Sequence, residues 1–329
     1  MTMAGAQPAP SRPERTDQQR SHRLLATAAL ADTATAIDAW RRWSAEFDLD
    51  TLDGEAYWIL PLLYCNLARA EFNDPERPRL AGVYKQMRMR NALSLPRLQE
   101  LLGRLRQLDC DMLPGSLTSL VLTGEEEAIS LDPCELLVPA KALETADSVM
   151  QAQGWKPLMP LPPLLLLPFV ASARYRHDTA GDAILTWRPF GLDCPMEQDA
   201  GLWQRAGWRE SGGAAIRLAD PVDRLLMENA KGRWLKICVL MDRLALQLPA
   251  PALSTPTLEL AAPPDAEASL PRLAVRHWKR YRRCPPALRP HGFARYLLSY
   301  YRYAWQSHGW LDVFSNALQR TRVRFARTT

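Results

Sequence analysis

Between residues 21 and 67 the apolar side chains recur every three or four positions: Leu24, Leu25, Ala28 and Leu30, then Ile37, Trp40 and Trp43, then Trp58, Leu60, Leu63, Tyr64 and Leu67. That period predicts a set of short amphipathic helices. Asn73-Asp74-Pro75 predicts a turn, and residues 79–108 follow as a helix or broken pair with Val83, Met87, Leu93, Leu98, Leu101, Leu102, Leu105 and Leu108 on its apolar face. Pro96 is the expected break, because proline brings no amide donor to a helix interior. At Asp109 the pattern changes. Residues 112–116 read as a short strand running into a turn, 117–122 as the start of a helix, 125–130 as a polar turn, and 135–139 as a strand closed by Pro139. A helix over 142–153 stops at Gly154, a residue suited to the left-handed end of a helix. Thr179-Ala180-Gly181-Asp182 is a turn before a strand over 183–187. Helical spacing returns at Asp220-Pro221, a cap followed by a first-turn proline, and runs through Leu225, Leu226, Ala230, Trp234, Ile237, Leu240, Met241 and Leu244.

This order divides the chain into an extension at 1–20 expected to be disordered, a helical region at 21–108, an α/β core at 109–220, a helical region at 221–248, a proline-rich linker at 249–271 and a basic, aromatic, helical region at 272–329. Composition is ordinary for a globular chain, 47% hydrophobic and 23% charged. The net charge of +5 is unevenly spread. Residues 271–329 carry 13 Lys or Arg against Asp312 alone, +12, which leaves residues 1–270 at −7. The uncharged run from 158 to 173 is broken by four prolines and too short to span a bilayer, so it reads as a buried or interfacial loop. Six scattered cysteines without a C-x-x-C pair read as reduced thiols, and the first twenty residues lack a signal-like apolar run, so a cytoplasmic location is expected. No phosphate-loop or dinucleotide-binding glycine motif is present, no nucleophile elbow occurs, and the five histidines form no triad or zinc spacing.

Several segments, taken in order, carry a resemblance. They are Ile59-Leu60-Pro61-Leu62-Leu63-Tyr64; Arg90-Asn91; Glu135-Leu136-Leu137-Val138 followed by a helix and Gly154-Trp155; Leu185-Thr186-Trp187-Arg188; and Asn229-Ala230-Lys231 with Trp234, Lys236 and Asp242. Together they resemble an uncharacterised nucleotidyltransferase family of the DNA polymerase beta-like superfamily, over residues 57–246. The resemblance implies an α+β fold, with a small mixed nucleotidyltransferase-type sheet flanked by N-terminal and C-terminal helical regions. It also implies a turn holding a nucleoside triphosphate and strand carboxylates holding Mg2+, spaced i and i+2 so that both share a face. Carried over by position, Asp132 and Glu135 are the catalytic and metal-binding carboxylates, Asp182 is a further metal ligand, Gly115 and Ser116 cradle phosphate, and Lys231 offsets triphosphate charge.

The sequence departs from that pattern where the chemistry would reside. With Glu135 at the second carboxylate position, Pro133 occupies the first, and Asp132 is one residue out of phase unless a bulge turns it to the same face. Ile184 stands at the third carboxylate, with Asp182 two residues earlier on the same face, and Thr186 replaces a histidine. Pro114-Gly115-Ser116-Leu117 lacks the family's loop lysine, and Glu228-Asn229-Ala230-Lys231-Gly232 has lost both histidines of its helix. Glu125, Glu126 and Glu127 are near enough to supply a loop ligand.

Two functions are expected from this reading. One is transfer of a nucleotidyl group from a nucleoside triphosphate to a hydroxyl or phosphate acceptor. The other is a catalytically inactive binding or scaffold protein of the same fold, in the biosynthetic setting with which the family is associated. The expected partner is a nucleotide or a protein. The basic C-terminal region would dock on the acidic body, on a partner or on a membrane surface, with nucleic acid the weaker reading of its interleaved arginines and aromatics.

Overall fold

In the computed structural model, residues 12–244 are described apart from 164–166, 168–169, 193, 195 and 212–213, so the linker and basic region expected beyond residue 248 lie outside the described residues. The N-terminal helices are α1 (Arg12–Leu30), α2 (Thr33–Glu46), α3 (Gly54–Arg69) and α4 (Arg77–Gln107). Because α1 starts at Arg12, it takes in residues 12–20 of the extension expected to be disordered. Short side chains set the starts of the next two helices. Asp32 accepts from the amides of Ala34 and Thr35 at 3.1 and 3.2 Å, and Asp53 accepts from Ala56 at 2.7 Å. The Asp53 carboxylate also meets His22 Nε2 at 2.8 Å, tying α3 to α1.

The break expected at Pro96 does not occur: α4 is one helix of 31 residues. Pro96 and Ala92, the residue whose carbonyl loses its amide partner, both lie on the exposed side of the helix, so the lost bond falls on the solvent face and not in the core. Leu93 and Leu108, expected on the apolar face, are instead 51% and 57% exposed.

The second layer is a mixed sheet of β1 (Leu113–Pro114), β2 (Cys134–Leu137), β3 (Lys156–Pro157), β4 (Ser172–His177) and β5 (Gly181–Thr186), in the order β1-β2-β5-β4-β3. Only β2 and β5 run parallel, with Glu135 opposite Ile184 and Leu137 opposite Thr186. Between strands lie α5 (Ser116–Leu122) and α6 (Leu143–Ala152), the latter ending before Gly154 at φ +86°. Then come α7 (Met196–Arg205), a hairpin of β6 (Gly207–Ser211) and β7 (Ala214–Leu218), α8 (Pro221–Ala230) and α9 (Trp234–Leu244). Asp220 caps α8 as expected, accepting from Val222 at 2.9 Å. The apolar face beyond it is shared by two helices rather than one, with the turn at Gly232 (φ +67°) between them. The architecture is therefore α+β with helices on both sequence flanks of a mixed sheet.

One sheet face (Cys134, Leu136, Ala173, Tyr175, Ala183 and Leu185) packs with the C-terminal half of α4 and with α6. A second core joins α1, α2, α3, the N-terminal half of α4 and α9. Helix α4 thus belongs to both. At the join its polar residues are satisfied internally: Asn91 donates to the carbonyl of Ile129 at 2.6 Å and accepts from the amide of Leu131 at 2.9 Å, while Ser94 donates to the Ala180 carbonyl at 2.7 Å. The opposite sheet face is covered at the Leu137 end by Phe190, Leu202 and Met227. Toward the other end it carries Glu135, Ile184 and Asp182.

Candidate functional site

Glu135 sits in the middle of this second face, and its surroundings follow from β1, α5 and the turn after α8. The amide of Gly115 donates to the Glu135 carbonyl at 2.7 Å, and the Glu135 amide donates to Thr118 Oγ1 of α5 at 3.0 Å. The glycine is a steric requirement here. A Cβ at position 115 would lie 2.7 Å from Glu135 Cβ and 2.9 Å from its Cγ. Across the sheet Thr186 Oγ1 donates to Glu135 Oε1 at 2.9 Å.

The carboxylate is closed by Lys231, the residue that ends α8. Its Nζ donates to Glu135 Oε1 at 2.8 Å, to Glu135 Oε2 at 2.7 Å and to Glu228 Oε1 at 3.2 Å, so the ammonium bridges the two carboxylates. The side chains of Lys231, Glu135 and Glu228 are 17%, 12% and 1% exposed. Arg233 Nη1 lies 3.5 Å from Glu228 Oε2 and completes a network of two cations and two carboxylates. Burial works against the charge on Lys231, but Glu228 and Glu135 outweigh it and hold its pKa above the ordinary lysine value. Burial likewise works against the charge on Glu228, and Lys231 and Arg233 outweigh it, keeping that carboxyl below its ordinary value. Lys236, in the first turn of α9, has its Nζ 5.1 Å from the Trp58 ring centre and no carboxylate within salt-bridge reach among the described residues. Burial, with Arg233 adding to it, pushes its pKa down to about 8.

The other expected site residues lie elsewhere. Asp132 precedes β2; its Oδ1 accepts from the Asp182 amide at 2.9 Å, and Oδ2 is 3.6 Å from Arg90. Asp182 shares the sheet face of Glu135 but lies two residues along β5, where Arg176 Nε and Nη2 grip its carboxylate at 2.7 and 3.1 Å. That grip holds its pKa below the ordinary aspartate value. Ser116 is fully buried: its hydroxyl donates to the Arg224 carbonyl at 3.1 Å, and Arg224 Nη2 returns a bond to the Ser116 carbonyl at 3.1 Å. It joins α5 to α8 and turns away from any phosphate on the sheet face.

Of the residues singled out by sequence, then, Gly115, Glu135 and Lys231 are brought together, while Asp132 and Asp182 form a separate pair and Ser116 points inward. Glu228 was missed. Its i, i+3 spacing to Lys231 on a well-signalled helix was the clue. Thr118 carried no signal of its own.

Magnesium does not fit these groups as they stand. Both oxygens of Glu135 are engaged by an ammonium, its neighbouring carboxylate Glu228 shares that ammonium, and among the described residues no three His, Cys, Asp or Glu side chains converge as a metal centre requires. The arrangement is chemically a strut: it fixes the α8–α9 turn to the centre of the sheet. Compared with models of protein families, with curated proteins and with solved structures, the chain matches none. No described helix is long and apolar enough to cross a membrane.

Proposed function

We propose that this chain is a nucleotidyltransferase-like protein that works as a binding or scaffold component rather than as a transferase. The reading rests on the Lys231 ammonium held between Glu135 and Glu228. Two-metal transfer needs carboxylates free to hold ions against a triphosphate. Here the strand carboxylate at the family-like position is neutralised by the chain's own cation, and Asp132 and Asp182 are bound by Arg90, a backbone amide and Arg176.

The test is product formation. The full chain is incubated with each labelled nucleoside triphosphate and Mg2+ across protein, sugar and sugar-phosphate acceptors, and its thermal midpoint is followed with Mg2+ and with EDTA. The expected result is no transfer and a midpoint indifferent to the metal. A labelled product that disappears in Glu135→Gln would overturn the reading.

A further inference from the structure

Helix α4 carries seven arginines and one lysine against a single acid, Glu100, a charge of +7 on a body whose first 270 residues total −7. These cations are arranged around an apolar crest. At about 100° per residue, the buried positions Leu80, Met87, Ser94, Leu98, Leu101 and Leu105 centre on one side of the helix. The opposite meridian carries the exposed Met89 (63%) and Leu93 (51%) with Ala92, Pro96 and Gly103, interspersed with the polar Lys85, Glu100 and Gln107. Arg88 and Arg106 flank this crest on one side, and Arg90, Arg97 and Arg104 on the other. Glu100 also lies on the outer side, paired with Arg97 at 3.2 Å. Arg88 pairs with Glu127, and Arg90 stands 3.6 Å from Asp132. No carboxylate of the described residues lies within salt-bridge reach of Lys85, Arg104 or Arg106.

We infer that the outer face of α4 is a peripheral contact for an anionic lipid surface, with Met89 and Leu93 entering the headgroup boundary and the flanking arginines engaging lipid phosphates. What the face offers is a pair of exposed apolar side chains, Met89 and Leu93, long cationic side chains able to snorkel beside them, and length enough, roughly 46 Å for 31 residues, to lie along a surface. Charge argues against the chain's own C-terminal region as the occupant, since residues 271–329 carry +12 and would be repelled by α4. Single-stranded nucleic acid is also disfavoured, because no aromatic ring stands on the crest to stack on a base.

The experiment uses the full chain with vesicles of phosphatidylcholine, with or without phosphatidylglycerol, doped with a photo-cross-linking phosphatidylcholine. Because the basic C-terminal region could bind such vesicles independently, the readout is positional. Trypsin releases residues 91–97, and lipid adducts should appear on that peptide with anionic vesicles and fade with salt. Met89→Asp/Leu93→Asp should weaken α4 cross-linking about tenfold, and Lys85→Gln or Arg104→Gln about fivefold each, with unchanged circular dichroism. Adducts confined to residues 271–329, or α4 adducts indifferent to these substitutions, would overturn the inference. So would protection of α4 from labelling by polyglutamate but not by vesicles, which would assign the crest to an acidic protein.

Discussion

The Lys231 network and the outer face of α4 treat positive charge in opposite ways. At the network a buried ammonium is shared by two buried carboxylates, with Arg233 joining from a partly exposed position. On α4 eight cations stand over one acid, and several have no carboxylate partner among the described residues. The first arrangement is specific and internal, so its energy depends on neighbours. The second is solvated, and Lys85 and Arg104, with no carboxylate in reach among the described residues, are available to something outside the body. Charge that is buried reports on how the fold is held, whereas charge left unanswered on a surface reports on what the protein meets.

The comparison breaks most sharply at Lys231. Replacing it with methionine leaves Glu135 and Glu228 facing each other without their shared cation, and a buried pair broken on one side costs about 3–5 kcal/mol. The same replacement at Lys85 should cost less than about 0.5 kcal/mol. Urea denaturation of both variants measures the contrast, and equal small losses would mean that the network is not a strut. The pH dependence follows from Glu228. Its carboxyl is held below the ordinary value in the folded chain, so its contribution is present above about pH 4.3 and is lost as pH falls through the depressed folded value. In Lys231→Met that contribution loses its nearest cation and is smaller, with Arg233 remaining. The gap between variant and wild type should therefore narrow as pH falls below about 4.

Two glycines sharpen the contrast at smaller magnitude. Gly115→Ala places a methyl 2.7 Å from Glu135 Cβ, so Glu135 must shift away from Lys231 and Thr186, at a cost of about 1–3 kcal/mol. Gly103 stands on the crest of α4, where a methyl group would meet nothing within 4 Å, and alanine there should stabilise by about 0.5–1 kcal/mol through helix propensity alone. Opposite signs for the same chemical change are the expected outcome in thermal unfolding. A neutral Gly115→Ala would indicate that the β1–α5 turn has room that this packing denies.

Much of this layout was legible in the sequence because it is set locally. The start of α8 could be read from Asp220-Pro221, where cap and first-turn proline act within three residues, and the end of α6 from Gly154. The strand holding Glu135 stood out as an apolar run closed by Pro139. What could not be read depends on partners far along the chain. Lys231 reaches Glu135 across 96 positions, and no local spacing reports that distance. Pro96 was misleading because its effect depends on which side of the helix faces water. The β6–β7 hairpin has little apolar alternation, since Trp208 is 61% exposed and stacks under Arg106 rather than in a core. Leu93 fitted a helical stripe by type and was exposed by rotation, so only the placed helix could turn it from a core residue into part of a surface.

Lys236 tests the comparison from between its two extremes, as a half-buried cation without a carboxylate in reach among the described residues. Its folded pKa of about 8 lies below the ordinary lysine value of 10.5, so between those values the unfolded chain binds more protons than the folded one and stability rises with pH. Below pH 8 the cost of holding the charge is present in full. The Trp58 ring recovers part of it by cation–π attraction. Lys236→Met keeps the apolar stem against Trp58 and removes the buried charge, so the variant should be more stable at pH 7 by about 1 kcal/mol. That advantage should shrink steadily as pH is raised from 8 toward 10.5. Chemical denaturation across that range reads it directly. A variant less stable than wild type at pH 7, by an amount independent of pH, would mean that the ring satisfies the ammonium as completely as Glu135 and Glu228 satisfy Lys231, and the distinction drawn between answered and unanswered cations would then have to include aromatic faces among the answers.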